Sequence, residues 1–339
     1  MKNKFLKQLF VLFIALSVVL VNTSVSTVAY GTNISFKDVP NNHWAKQYIE
    51  TLASSGTISG YPDGTFKPEN NVTRGEFSRL IVDPFFKNLS TDSGNFKDVS
   101  VGDWYSSYVA TAVDNGLIAG YEDKTFKPNN NITRVETAVI VGRFLKNDIS
   151  VTDNEVNNIL SKFNDKAQIP NWAKTDVARI IKSGIMSGVS NTQFSPNSNT
   201  TRAQAATVIY GTISFKIESE VVRLTNIERN KIGLAPFTID FNLGKVARIK
   251  SQDMADKNYF DHTSPTYGSP FEMMKKFGIK YMAAGENIAK GYSSAEGVVN
   301  GWMNSPGHKA NILSSNFGKI GVGYVKKNGV TYWTQMFIN

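Results

Sequence analysis

Three copies of one pattern occupy the N-terminal part of the chain, and this repetition constrains the fold more than any other feature. The copies begin FKDVPNNHW, FKDVSVGDW and FNDKAQIPNW. From the tryptophan of each copy (Trp44, Trp104, Trp172), glycines follow at +12 and +16, phenylalanine at +22, proline at +24 and arginine at +30. So regular a spacing predicts three copies of one structural unit.

The residue pattern of each copy predicts helix, loop and short helix. In the first copy, Tyr48, Ile49 and Leu52 follow helical spacing. Gly56 stands where a helix C-terminal glycine belongs. Thr73, with Glu76 three residues later, has the form of a capping box. A unit this small cannot bury its own apolar face, so the three copies are expected to pack together.

The set FKDV, GYPDGTFKP and TRGE resembles the S-layer homology (SLH) domain over residues 36 to about 210. The resemblance implies a mainly α fold, in which three helix-loop-helix repeats form a pseudo-threefold unit that binds pyruvylated secondary cell-wall polysaccharide. It also implies that arginines of the TRxE motifs face the ketal carboxylate, that tryptophans form the sugar grooves and that aspartates lie nearby. The implied binding residues are Asp38, Trp44, Arg74, Asp98, Trp104, Arg134 and Arg202.

The residue types suit this function, since a guanidinium can meet a carboxylate with two parallel charge-assisted hydrogen bonds. Two other interpretations stay open on the sequence. The tryptophans could belong to the core, and the arginines could pair with carboxylates of their own repeat.

The third copy departs from the pattern. It has Val189, Asn191 and Gln204 where the first copy has Tyr61, Asp63 and Glu76. These changes predict an incomplete third groove in a repeat that chiefly closes the unit, although Arg202 is kept.

Residues 1–29 have the layout of a secretory signal, with Lys2, Lys4 and Lys7 ahead of an apolar run. The run is short for a membrane span, but a retained anchor is the alternative. We therefore expect a secreted protein at a bacterial cell wall or S-layer, with no stable membrane anchor after cleavage. Absence of cysteine excludes disulfides. The net charge of +9 suits an anionic wall polymer. Nucleic acid is not expected, because no Lys/Arg-rich run is present.

These patterns divide the chain into six segments. The expected bounds are 1–29 for the signal, 30–95, 96–150 and 151–212 for the repeats, 213–217 for a linker and 218–339 for a second domain.

The second domain reads as α+β. Helical spacing follows Leu224 and again Val246, and the C-terminal stretch alternates like two strands joined at Asn328-Gly329. The ordered set NYFDHTSP, AGENIA, GWMNSPGHKANIL, IGVGY and YWTQMF resembles the bacterial, cysteine-free branch of the CAP superfamily. That family is an α-β-α sandwich with a cleft lined by histidines and acidic residues.

The resemblance places four residues in the cleft. His262 and Glu286 take the family's first His and first Glu, His308 is the remaining imidazole, and Gln335 is expected nearby. The family's second Glu and second His are replaced by Ser305 and Tyr332.

The chemistry of this cluster has several interpretations. His262 and His308 with a carboxylate could hold zinc, although the HExxH spacing is absent. The Glu–His pair could instead act as general base and acid. Glu286 and His262 could also be structural. The sequence therefore leaves three functions open: a wall-anchored domain that binds or modifies an extracellular ligand, a hydrolase acting on a wall component or peptide, and a structural S-layer component.

Overall fold

The computed structural model describes residues 34–91 and 96–339. The expected signal peptide, residues 1–29, lies outside the described residues. In the described part, no helix is both long and apolar enough to cross a membrane.

The three repeats fold as the sequence predicts, each with a helix, a loop and a second helix. Capping boxes start the second helix of every repeat, with Thr73, Thr133 and Thr201 as N-caps. An additional helix precedes the third repeat. The helices are α1 (Lys46–Ser54), α2 (Arg74–Val82), α3 (Ser106–Asp114), α4 (Arg134–Phe144), α5 (Asp153–Ser161), α6 (Lys174–Ser183) and α7 (Arg202–Asn230), with short 3₁₀ turns at Lys166–Gln168 and Asn171–Ala173.

A closed cycle of backbone hydrogen bonds joins the three repeats at their centre. The Val72 amide donates to the Thr200 carbonyl (3.0 Å), Thr200 donates to Ile132 (2.9 Å), and Ile132 donates back to Val72 (2.9 Å). Each bond joins two different repeats, so every repeat is needed to satisfy the backbone amide and carbonyl groups of the other two. We call this feature the central cycle.

The C-terminal domain is a three-layer α-β-α sandwich. Its helices are α8 (Phe241–Lys257), α9 (Pro270–Lys276), α10 (Ala295–Met303) and α11 (Pro306–Ile312), and its strands are β1 (Thr238–Ile239), β2 (Ala284–Lys290), β3 (Lys319–Lys327) and β4 (Val330–Ile338). The sheet order is β1-β3-β4-β2. The predicted hairpin is confirmed: Asn328 and Gly329 turn with φ of 49° and 78° between antiparallel β3 and β4.

The two faces of the sheet carry different helices. On one face α8 packs directly on β3, and a Cβ added to Gly323 would lie 2.2 Å from the Ala247 carbonyl carbon. Only glycine permits this approach. The opposite face packs Val322 and Trp333 against α7, α10 and α11 in one apolar core.

Helix α7 belongs to both domains. Its 29 residues start at the third repeat's arginine and end in the C-terminal domain, a length of about 43 Å at the α-helical rise. The linker expected at 213–217 is therefore helical, which corrects that expectation. The reason is burial: Phe215 packs in the repeat core and Val221 in the sandwich core, so both cores stabilise one helix.

The two domains also touch beside α7. Glu218 of α7 accepts both Arg248 Nε (2.8 Å) and Nη2 (2.6 Å), and Arg248 Nη1 donates to the Ser183 carbonyl at the end of α6 (2.8 Å). Gln252 of α8 donates to Gln47 of α1 (2.8 Å). Residues 34–91 and 96–339 consequently belong to one compact unit.

Candidate functional site

The arginine at +30 of each repeat reaches into a neighbouring repeat. Arg74 starts α2 but lies against the second repeat, where Nε donates to Phe126 O (2.8 Å), Nη2 to Ala119 O (3.2 Å) and Nη1 to Glu136 Oε1 (2.7 Å). Glu136 belongs to the second repeat. The hypothesis that the arginine pairs with a carboxylate of its own repeat is therefore wrong for Arg74.

The other two arginines follow the same order, in which the arginine of one repeat contacts the next repeat and that of the third contacts the first. Arg134 donates to Phe194 O and Ser187 O of the third repeat (both 3.0 Å). Arg202 donates to Phe66 O (2.8 Å) and Ser59 O (3.1 Å) of the first. Three grooves result, named by their arginine and the aromatic residues beneath it: groove A (Arg202 over Tyr61 and Phe66), groove B (Arg74 over Tyr121 and Phe126) and groove C (Arg134 over Phe194).

Groove A opens into a cleft of about 280 Å³ to which all three repeats contribute. The third repeat supplies Arg202, the first supplies Tyr61, Glu76 and Arg79, and the second supplies Trp104. The Arg202 Nη1 atom has no hydrogen-bond partner, and no carboxylate lies within 4 Å of the guanidinium, among residues 34–91 and 96–339. This guanidinium can therefore receive an external anion.

The tryptophans of the three repeats are surface residues. Trp44, Trp104 and Trp172 are 56%, 55% and 59% exposed. The interpretation that they belong to the core is wrong. The indoles of Trp44 and Trp104 are therefore accessible to a ligand, and their role in sugar grooves stays a prediction.

Asp38 and Asp98 hold loops in place. Asp38 accepts the Phe66 and Lys67 amides (both 2.7 Å), and Asp98 accepts the Phe126 amide (2.7 Å) and the Lys127 amide (2.8 Å). Lys67 has a left-handed φ of 56°, which costs energy for a residue with a side chain. The carboxylates compensate this strain and orient the backbone carbonyls that bind the arginines.

Groove C lacks the groups that complete grooves A and B. Val189 replaces the tyrosine and Gln204 the glutamate, and burial lowers the pKa of Arg134. Arg134 therefore faces the incomplete groove, whereas Arg202, the arginine of the divergent third repeat, serves the complete groove A. The sequence alone did not reveal this rotation.

In the C-terminal domain, strand β2 and the loop after α8 bring Glu286 and His262 together. His262 Nδ1 lies 2.8 Å from Glu286 Oε1. The Glu286 side chain is 2% exposed and that of His262 is 51% exposed. The imidazole is therefore open to solvent on one side and held on the other by a buried carboxylate.

The pKa values of His262 and His308 are shifted in opposite directions. The hydrogen bond to Glu286 raises the pKa of His262, while burial, with a smaller contribution from the charge of His262, lowers the pKa of His308. One imidazole thus favours the protonated form and the other the neutral form. Pairs whose environments separate their pKa values are suited to acid–base roles.

Gln335 lies in the interior of the domain and not at its surface. It is fully buried on β4, where its Nε2 donates to Thr225 of α7 (2.9 Å) and its Oε1 accepts Asn287 Nδ2 (3.1 Å). Asn287 also donates to the His308 carbonyl (3.1 Å). Gln335 therefore supports the strand and helix that carry Glu286 and His308.

The two positions that depart from the animal and plant pattern have structural roles. Tyr332 is buried in a core cluster with Met254 and Val325. Ser305 is the N-cap residue of α11, and Pro306 starts the helix that presents His308.

Two site residues escaped sequence reasoning. Lys250 is fully buried, and its Nζ donates to the carbonyls of Asp261 (2.8 Å) and His262 (2.7 Å). Asp253 accepts the Ser264 and Thr266 hydroxyls (both 2.6 Å) of the same loop. One signal was available for Lys250: it stands four residues from both Val246 and Met254, on the apolar face of α8.

The sequence predicts that the two imidazoles and their carboxylate could hold zinc. No group of three His, Cys, Asp or Glu side chains is arranged to hold a metal in the described part of the chain. Glu286 Oε1 already pairs with His262. Zinc binding by His262 and His308 stays a prediction.

Comparisons with known proteins match both halves of the chain. Residues 35–78, 95–138 and 162–206 match the S-layer homology domain, SLH. Residues 222–337 match the cysteine-rich secretory protein family, CAP.

The chain is similar to several proteins over part of its length. The uncharacterized protein YkwD of Bacillus subtilis (strain 168) is 64% identical over 121 residues, 36% of this chain and 46% of that protein. The cellulosome-anchoring protein of Acetivibrio thermocellus is 32% identical over 152 residues, 43% of this chain and 32% of that protein. A solved extracellular protein containing a SCP domain, from Bacillus anthracis str. Ames, is 36% identical over 38% of this chain and 42% of that chain, with a TM-score of 0.36.

This chain spans less than half the length of each of these relatives. The repeat matches and the sandwich match agree in order and position with the two domains of the fold. The chain is therefore a secreted, cell-wall-associated protein with three S-layer homology repeats followed by a CAP domain.

Proposed function

We propose that the SLH repeats bind an anionic cell-wall polysaccharide through groove A, with a pyruvate ketal carboxylate on Arg202, and so hold the CAP domain at the cell surface. The observation that carries this proposal is the cleft of about 280 Å³ where the Arg202 guanidinium lies beside Tyr61 and Trp104. Arg202 Nε and Nη2 are fixed by backbone carbonyls, which orients the remaining donor. A preorganised guanidinium binds a carboxylate with little loss of side-chain entropy.

The three grooves differ in what a ligand must displace. In groove B, Arg74 is already paired with Glu136 at 2.7 Å, so a ligand carboxylate competes with a carboxylate of the protein. Groove C has Arg134 but neither the tyrosine nor the glutamate. Groove A therefore contributes most to binding, groove B less and groove C least.

Sedimentation of the full chain with purified cell walls tests the proposal. Arg202→Gln should weaken binding about 10- to 100-fold, since a hydrogen bond to a charged group contributes roughly 1.5–3 kcal/mol. Arg74→Gln should weaken it less. Arg223→Gln is the matched control, because Arg223 is an exposed α7 arginine paired with Glu220 outside the groove.

A second set of sedimentation measurements uses walls from which the pyruvate has been removed. Wild-type protein should bind them as weakly as Arg202→Gln binds intact walls. Equal binding of the wild type to stripped and intact walls contradicts recognition of the ketal carboxylate.

A second candidate function concerns the CAP cleft, and we infer that its His–Glu pair serves to bind or hydrolyse an extracellular ligand. The observation in its favour is the 2.8 Å contact between exposed His262 and buried Glu286. A carboxylate that orients an imidazole makes it a better proton acceptor.

A hydrolysis screen over wall glycan, peptide and ester substrates separates the two forms of this function. An enzyme should lose its activity in Glu286→Gln, which keeps the shape of the side chain and removes its charge. A binding site should give a different result: the wild type hydrolyses none of these substrates but binds a ligand, and Glu286→Gln no longer binds that ligand.

A further inference from the structure

A second arginine lies in the groove A cleft, and the fold does not account for it. Arg79 of α2 lines the same cleft as Arg202. Glu76 is the acidic side chain there, and its Oε2 is held by the Thr73 amide (2.8 Å) in the capping box. Two guanidinium groups and one carboxylate therefore leave the cleft with an excess of positive charge.

Arg79 makes weak contacts within the protein. Its side chain is 49% exposed, and its ion pair with Asp83 is long, 3.5 Å between Nε and Oδ2, and also exposed. Such surface pairs contribute little to stability. Its guanidinium is 5.8 Å from the centre of the Tyr108 ring, near the limit for a cation–π contact. By contrast, the side chain of Arg74 makes three hydrogen bonds.

The equivalent positions in the other repeats carry no charge. Five residues after the TRxE arginine, the second repeat has Val139, which is buried, and the third has Thr207, whose hydroxyl bonds the Ala203 carbonyl. The repeat fold therefore does not need a cation at this position. Only the first repeat places one there, and it does so at the cleft.

We propose that groove A recognises a glycan segment with two anionic groups, the first bound by Arg202 and the second, on the neighbouring sugar, bound by Arg79. This inference rests on the proposed function, because it assumes that groove A is the polysaccharide site. Carboxylate and phosphate share the chemistry that a guanidinium fork binds. Arg79 then determines specificity, because it distinguishes a doubly anionic segment from one with a single ketal.

Calorimetric titration of the full chain with three disaccharides tests the inference. All three carry one pyruvate ketal, and the neighbouring sugar is neutral, a carboxylate (uronic acid) or a phosphate. Wild-type protein should bind at least one doubly anionic probe about tenfold more tightly than the neutral-neighbour probe, which corresponds to one charge-assisted hydrogen bond. The tighter probe identifies the second group.

Two variants and a control separate this inference from the proposed function. Arg79→Gln should abolish the difference between the probes, because only the doubly anionic probes carry the group that Arg79 binds. Arg202→Gln should weaken all three, and Arg223→Gln none. If the neutral-neighbour probe binds and is lost in Arg202→Gln, but neither doubly anionic probe binds more tightly, the inference fails and the proposed function stands. If no probe binds wild type, both fail.

Discussion

At the scale of the residue, the chemistry available to the CAP domain depends on the protonation states of its two imidazoles. His262 has a buried carboxylate partner, and His308 has a carbonyl that Asn287 holds and a ring that is partly buried. The same residue type therefore has two protonation preferences within one cleft. The sequence placed both histidines there by resemblance, but the direction of each pKa shift depends on burial and partners that spacing does not encode.

Titration of the histidine ring protons by NMR, with chelator present, checks these directions. The pKa of His262 should lie above the ordinary value of about 6.5 and that of His308 below it. His262→Gln and His308→Gln assign the signals. A lower pKa for His262 than for His308 would contradict the role given to Glu286.

The same shifts predict opposite effects of pH on stability. The raised pKa of His262 contributes stability below its unfolded-state value of about 6.5, and this contribution is lost as pH rises through the folded-state pKa. The lowered pKa of His308 acts in the other direction, because protonation of the unfolded state lowers stability as pH falls below about 6.5. Urea unfolding from pH 5 to 8.5 should show His262→Gln most destabilised at the acid end and His308→Gln relatively improved there.

At the scale of the element, α7 is the feature that sequence reasoning divided wrongly. The segment 213–217 is expected to be a linker, because the repeat pattern stops before it. Its Ile213 and Phe215 are instead on the faces that pack against the repeat core. The helices with clear caps, such as α2 at Thr73, were predicted well because their signals are local. The contact of α7 with two separate cores is a tertiary property, and no window of sequence contains it.

The ion pair between α7 and α8 provides a test at this scale. Glu218→Leu leaves the partly buried Arg248 without its carboxylate, so the free energy of unfolding should fall by about 3 kcal/mol, the lower end of the range for a buried pair. The double variant Glu218→Leu, Arg248→Met removes both charges and should recover a large part of that loss. Urea denaturation of the two variants measures the difference. Equal destabilisation of both would indicate that the pair's charges do not matter.

At the scale of the whole molecule, the repeats form a closed unit and not an open array. The FKDV and TRxE motifs predicted three similar pieces, and they are confirmed. The contact of each arginine with a neighbouring repeat was not predictable. The same repeat pattern results whether the arginine contacts its own repeat or the next one. Consequently the divergent repeat, which the sequence predicts to chiefly close the unit, supplies the arginine of groove A, the groove that opens into the cleft of about 280 Å³.

Truncation tests this closure. A chain that ends at residue 150 lacks Thr200, which leaves the central cycle open at the Val72 amide and the Ile132 carbonyl. Without the third repeat, the apolar faces of the first two also stay exposed, so we expect no cooperative thermal transition by circular dichroism. The full chain is the control. A sharp transition with native-like helix content in the truncated chain would show that two repeats suffice.

The continuity of α7 also has a mechanical consequence. A domain on a coil-like tether explores a sphere around its anchor and meets its targets by searching that volume. Here one uninterrupted helix and the Glu218–Arg248 ion pair remove that search, because they hold the CAP domain in one orientation relative to the repeats. Under the proposed binding of the repeats to the wall polymer, neighbouring copies on one strand would present their CAP domains at intervals set by the polymer's own repeat length.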